Sequence, residues 1–317
     1  MTDKIFQFCY TNVGAEEANG TTVTGWQPVA VSDGIPEEAR RTCSEIQITN
    51  SALMNYSQTS SVPQSSVLTD EKGNVLNLFE LYGDGKYLYI LRTQYGLNVR
   101  DVRGNVRKNM FSHAFIMEWK DKRVLHDPNY FLTLAKENFT QNIRDAKSQK
   151  KIVRMEPFNI ESAMAISGLT KESYQSLVQC IFIQMSAKKE VSPLYIQYDG
   201  TEEQMRAILY CIYYGLPYYM RKKIKCASSP VHGMSDKNIV FSIGARQYKN
   251  WFIPQTGENS VISERDKRKL QRYGFIDYAV RNMEKIDKAY QFALESHGDQ
   301  KRRSGVPYIL HPVSVAY

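Results

Sequence analysis

Residues 75–93 read VLNLFELYGDGKYLYILRT. Two strand-forming runs, VLNLFELY and KYLYILRT, flank Gly83-Asp84-Gly85, and the pattern predicts a β-hairpin. Working outward, further strands fit KIFQFCY (4–10), HAFIMEW (113–119), PLYIQY (193–198), NIVFSI (238–243) and YKNWFI (248–253). Between them the apolar period changes. Amphipathic helices fit about 170–187 and 201–214, the second with Met205, Ile208, Leu209 and Ile212 at helical spacing. Thr201 and Gln204 stand at the spacing of a capping box. Pro36 and the acids after it predict a short helix, and YSQTSSVPQSS (56–66) reads as a polar loop. Strands and helices mix without a repeat, so the expected fold class is α+β.

The chain has 317 residues, 42% of them hydrophobic and 23% charged, which excludes a disordered or collagen-like chain. No apolar run approaches the ~20 residues of a membrane span, and MTDKIFQFCY does not open like a secretory signal. Cys9, Cys43, Cys180, Cys211 and Cys226 are odd in number and contain no CxxC pair. They support neither a zinc knuckle nor a disulfide framework, so a reduced, cytoplasmic protein is expected. The net charge is +8, and residues 261–317 hold 11 basic against 7 acidic side chains. That excess suits either an anionic ligand near the C-terminus or a solvated basic face.

A boundary is expected in the turn-rich stretch IPQTGENSVIS (253–263). It separates a large mixed domain, residues 1–260, from a short all-helical part, residues 261–317. Within the latter, residues 278–297 carry Ala279, Met283, Ile286, Tyr290 and Ala293 at alternating steps of four and three. The basic loop GDQKRRSGVP follows, and Pro312 stands where a new helix would start.

Residues 289–316 read AYQFALESHGDQKRRSGVPYILHPVSVA. This stretch resembles the opening of the HD-type hydrolase domain of the RelA/SpoT family, which makes and degrades the alarmone (p)ppGpp. Chemically, Arg302 offers a flat cation for stacking on a purine and Arg303 adds charge for phosphate. The resemblance implies that Arg302, Arg303, Ser304 and Tyr308 line a guanine-nucleotide pocket. It also implies that His311 is the first ligand of a Mn²⁺ ion, with His297 structural. Taken alone, His311 would be a helix-start residue and KRR a solvated charge run. In the family, metal-activated water releases pyrophosphate from the 3′-diphosphate. That chemistry needs a His-Asp pair on the next helix and further acids, because one imidazole does not hold a catalytic divalent ion. These residues lack them. The single His-Asp pair, His126-Asp127, is followed by Pro128 and is rejected as a replacement. The expectation is therefore either a partial gene product or a hydrolase start kept without hydrolysis.

Residues 1–260 contain no P-loop, no GxGxxG after a strand and no HExxH. Three patches resemble the second type of N-terminal domain of the bacterial GTPase-associated protein one group: FCYTN with GWQPVAVSDGIPEEARR (25–41), RDVRGNVRKNMFSHAFI (100–116) and DGTEEQMRAILYCIYYGLPYYMRKKIKCAS (199–228). The resemblance implies a scaffold encoded beside small GTPases in predicted conflict or defence systems. His113 invites pairing with Cys9 or Cys43 as nucleophile, but a Cys–His pair must meet in space, and no sequence feature joins them. A hydrogen-bonded ring at the end or edge of a strand is the expectation for His113. The stripe YCIYYGLPYY is expected to be core rather than a base-stacking platform.

Two functions follow. The first is an adaptor or sensor module fused to an alarmone-type HD part that resembles a Mn-dependent guanosine-3′,5′-bis(diphosphate) 3′-pyrophosphohydrolase and lacks its His-Asp pair. The second is a GTPase-associated interaction protein of a defence system. Expected partners are a small GTPase or co-encoded effector and a guanine nucleotide such as ppGpp. No membrane is expected as partner, and the sequence shows no nucleic-acid-binding motif to accompany its pI of about 9.0.

Overall fold

The computed structural model describes residues 5–13, 25–59, 77–100, 106–140, 152–186, 192–230 and 236–263. They form an α+β fold around a nine-stranded sheet. The strands are β1 (Phe6–Val13), β2 (Gly25–Val31), β3 (Asn77–Gly83), β4 (Tyr87–Arg100), β5 (Val106–Glu118), β6 (Leu194–Gln197), β7 (Lys225–Ala227), β8 (Ile239–Ser242) and β9 (Trp251–Phe252). Their order is β2-β1-β5-β4-β3-β7-β8-β6-β9. The first five pair antiparallel, as does β7 with β3, whereas the pairs β7–β8, β8–β6 and β6–β9 are parallel. Parallel neighbours need a crossover, and between β6 and β7 the chain supplies helices.

The helices are α1 (Glu37–Thr59), α2 (Lys122–His126), α3 (Asn129–Leu132), α4 (Ile160–Ser167), α5 (Lys171–Ser186), α6 (Glu202–Gly215) and α7 (Tyr218–Arg221). Two apolar clusters occupy opposite faces of the sheet. Leu88, Ile90, Phe115 and Met117 pack with α4, α5 and α6, while Tyr87, Tyr89, Leu91, Ala114 and Ile116 pack with α1. Successive strand residues point to opposite faces. Burial on both sides explains why KYLYILRT is nearly all apolar instead of alternating. Helix α6 is buried from Gln204 through Tyr213, so YCIYYGLPYY is core apart from the half-buried Tyr214 and the exposed Tyr219.

The predicted hairpin is present, β3 against β4 from Asn77↔Gln94 to Gly83↔Leu88. Asp84 shapes its turn, its Oδ1 accepting from the Lys86 and Tyr87 backbone N–H groups at 2.8 and 2.6 Å. Gly85 has φ 96°, a conformation that favours glycine. Gly83 is required for a different reason. A Cβ there would stand 2.4 Å from the Lys222 carbonyl oxygen, where β3 meets the segment before β7.

Several boundaries differ from expectation. The short helix after Pro36 is 23 residues long and takes in Tyr56–Thr59 of the expected polar loop. Its buried face mixes Ala39, Cys43 and Ile46 with the polar Gln47, Asn50 and Ser51, so the apolar period that marks a helix is weak there. Strand β2 carries Gly25 and Pro28, residues that argue against a strand, and it lies at the sheet edge, where Pro28 interrupts no central ladder. Strand β9 is two residues long, because residues 248–250 of the expected strand bend instead of extending. Helix α4 went unread, although Asn159 and Ser162 cap it reciprocally. At α6, Thr201 Oγ1 accepts from Gln204 N at 3.3 Å, but the Gln204 Oε1 accepts from Asp199 N at 2.6 Å. The reciprocal half of the expected capping box is thus turned toward the loop after β6.

Candidate functional site

The residues expected to bind nucleotide and metal, Arg302, Arg303, Ser304, Tyr308 and His311, lie outside the described residues, as does the expected helix 278–297. The described part holds three buried polar constellations, each built by different elements.

The first surrounds His113 on β5, which is 2% exposed. Its Nδ1 accepts from the Thr140 backbone N–H at 2.9 Å, and its Nε2 lies 3.1 Å from Gln7 Oε1. An accepting Nδ1 puts the single ring proton on Nε2, which donates to Gln7. Burial pushes the imidazole pKa down to about 4, so the ring is neutral at pH 7. His113 lies inside a central strand, not at a strand end as expected. Cys9 is its direct register partner on β1, a juxtaposition that sequence reasoning missed because strand pairing is non-local. The pair is nonetheless not a nucleophile and its base. Both ring nitrogens are engaged elsewhere, and burial pushes the Cys9 thiol up to about 12. All five cysteines are buried, and each thiol is raised by burial, away from the reactive thiolate.

The second constellation ties α6 to the sheet. Glu202 Oε1 accepts from Arg92 Nη2 of β4 and from Arg206 Nε at 2.7 Å, and lies in ion-pair contact with Arg206 Nη2 at 2.5 Å. Arg206 Nη1 donates to the Leu132 carbonyl. Arg92 lies over the Phe79 and Phe139 rings, and Arg206 over Phe79. Burial raises the Glu202 carboxyl, but the Arg206 and Arg92 guanidiniums outweigh it and hold the group below the ordinary range. Glu202 and Arg206 stand one helical turn apart, a spacing legible in TEEQMR. Arg92 joins them only through the fold.

The third lies under α1. Glu80 on β3 accepts from Asn50 Nδ2 at 2.5 Å and pairs with Lys237 Nζ at 3.0 Å. Burial lowers the Lys237 ammonium, but Glu80 and Asp236 outweigh it and hold its pKa above the ordinary value. Gln47, on the same stripe of α1, is fully buried beside the Cys43 thiol. Its amide atoms have no other hydrogen-bond partner among the described residues.

No group of three or more His, Cys, Asp or Glu among the described residues could hold a metal ion. His126 ends α2 with its Nδ1 bonded to the Tyr218 hydroxyl, and Asp127 Oδ1 accepts from Asn129 N at 2.9 Å. Both halves of that His-Asp pair are thus engaged in local structure. No described helix is long and apolar enough to cross a membrane.

Beside this α+β fold, the chain contains a stretch similar to a ppGpp-hydrolysing enzyme. One similar protein is a guanosine-3′,5′-bis(diphosphate) 3′-pyrophosphohydrolase of Aquifex aeolicus (strain VF5), 45% identical over 64 residues. The match covers 20% of this chain and 8% of that protein's length. No protein-family model matches the chain, so the resemblance of residues 1–260 to the GTPase-associated group has no support from that comparison.

Proposed function

We propose that the chain is an adaptor or sensor module, residues 1–260, joined to an alarmone-binding segment, residues 261–317. The observation that carries this reading is the 45% identity over 64 residues to a ppGpp pyrophosphohydrolase. On this reading Arg302, Arg303, Ser304 and Tyr308 receive the guanine nucleotide. Arg302 stacks on the base and Arg303 meets phosphate oxygens, the pairing of planar cation with purine and anion that guanidinium groups favour. His311 would contribute one ligand to Mn²⁺. A divalent catalytic ion needs several ligands, of which His311 would be one. We therefore assign residues 261–317 by themselves nucleotide binding and no complete catalytic metal site. The buried, hydrogen-bonded state of His113 and the raised thiols favour a module that binds over one that turns over a small molecule. The partner expected for that module is a protein, a small GTPase or a co-encoded effector.

Calorimetric titration of the purified chain with ppGpp tests the reading. Saturable binding, weakened at least tenfold by Arg302→Ala or Arg303→Ala, is expected, with the nucleotide left intact in the presence of Mn²⁺. Absence of binding, or release of pyrophosphate that His311→Ala abolishes, would overturn it.

A further inference from the structure

We infer that Arg92 and Arg206 form an oxyanion site that the Glu202 carboxylate closes from within. Two guanidiniums, from β4 and from the second turn of α6, converge on one carboxylate. All three nitrogen contacts fall on the same oxygen, Oε1. Arg206 is 1% exposed, and the Arg92 Nε is buried without a hydrogen-bond partner. The site therefore keeps an unused guanidinium donor and one more positive than negative charge in direct contact. A buried guanidinium with an unmatched N–H is unfavourable, and His113, the register partner of Arg92, is neutral and does not compensate. Glu137, the next acid that acts on Arg206, is exposed.

A second feature makes the site accessible. The Glu202 side chain is 33% exposed and sits in the first turn of α6. Rotation about its side-chain bonds carries the carboxylate to water and leaves the guanidiniums in place. A tetrahedral oxyanion entering there meets two planar forks that bind several oxygens at once, where Glu202 presents one. The α6 N-terminus adds its positive end to the same side. Phe79 lies against both guanidiniums and Phe139 against that of Arg92, which shields the planar cations from water. The ligand chemistry is a phosphate group, free or carried on a larger molecule. None of its residues belongs to the nucleotide pocket expected in residues 261–317, so the two sites are tested independently.

Hydrogen exchange of the unaltered chain with inorganic phosphate, against chloride at equal ionic strength, tests the inference. Phosphate is expected to slow exchange at residues 132–140 and 202–206. Glu202→Gln removes the competing charge and should tighten phosphate binding at least tenfold, while Arg92→Gln should remove the protection. A phosphorylated nucleotide that protects these segments at lower concentration than phosphate identifies a carried group. Equal concentrations identify the free ion. Phosphate that protects neither segment in the unaltered chain, or protects them equally in Arg92→Gln, overturns the inference.

Discussion

The neutral, buried state of His113 makes folding stability depend on pH in a defined window. The ring has an ordinary pKa of 6.5 when the chain is unfolded and one of about 4 in the folded protein, where burial disfavours the cation. Above pH 6.5 it is neutral in both states and contributes no pH dependence. As pH falls below 6.5, the unfolded chain takes up a proton that the folded chain does not accept until near pH 4. Stability is therefore lost across that interval and the loss levels off below it. The full difference corresponds to about 3 kcal/mol, and about 2 kcal/mol of it is gone by pH 5. Carboxylates that titrate in the same region are removed by comparison with His113→Gln, which keeps an acceptor for the Thr140 N–H. Urea unfolding followed by tryptophan fluorescence, at pH 7.5, 6.5, 5.5 and 5.0, reads the difference. The unaltered chain should lose about 2 kcal/mol relative to the variant between the first and last pH. Parallel losses in the two proteins would refute the reasoning, as would a folded-state NMR titration of the His113 ring with a midpoint near 6.5.

Lys237→Met should destabilise the chain by about 3 kcal/mol, because it leaves the buried Glu80 carboxylate without its cation; the double variant with Glu80→Gln should recover most of that in urea unfolding. Gly83→Ala should lower the urea midpoint by an amount equivalent to about 2 kcal/mol, since its Cβ would meet the Lys222 carbonyl oxygen at 2.4 Å. Gln47→Leu should leave stability unchanged or raise it by about 1 kcal/mol, because a buried amide without backbone or carboxylate partners is replaced by an apolar group of similar size; a clear loss would show that the amide is satisfied in solution.

Local chemistry was legible in the residues. The hairpin over 75–93 follows from two β-forming runs around an Asp-Gly turn, helices α5 and α6 from apolar spacing, and the core role of YCIYYGLPYY from its apolar density. The likeness to ppGpp pyrophosphohydrolases was carried by a contiguous motif, so it needed no fold to be seen. Where a signal was weak or spread along the chain, reading failed. Helix α1 buries polar side chains, which hides its period, and β2 carries a proline that only an edge strand accommodates. Tertiary structure alone brought Arg92 to Glu202 across 110 positions and set Cys9 opposite His113 across 104. It also decided that this pair is inert, because the partners of the imidazole, Gln7 and Thr140, come from a different strand and a loop. Spacing along a chain specifies what neighbours within one helix or hairpin do. Which side chains share a buried, low-dielectric space depends on strand order and crossover, and those are set by the packing of the whole sheet.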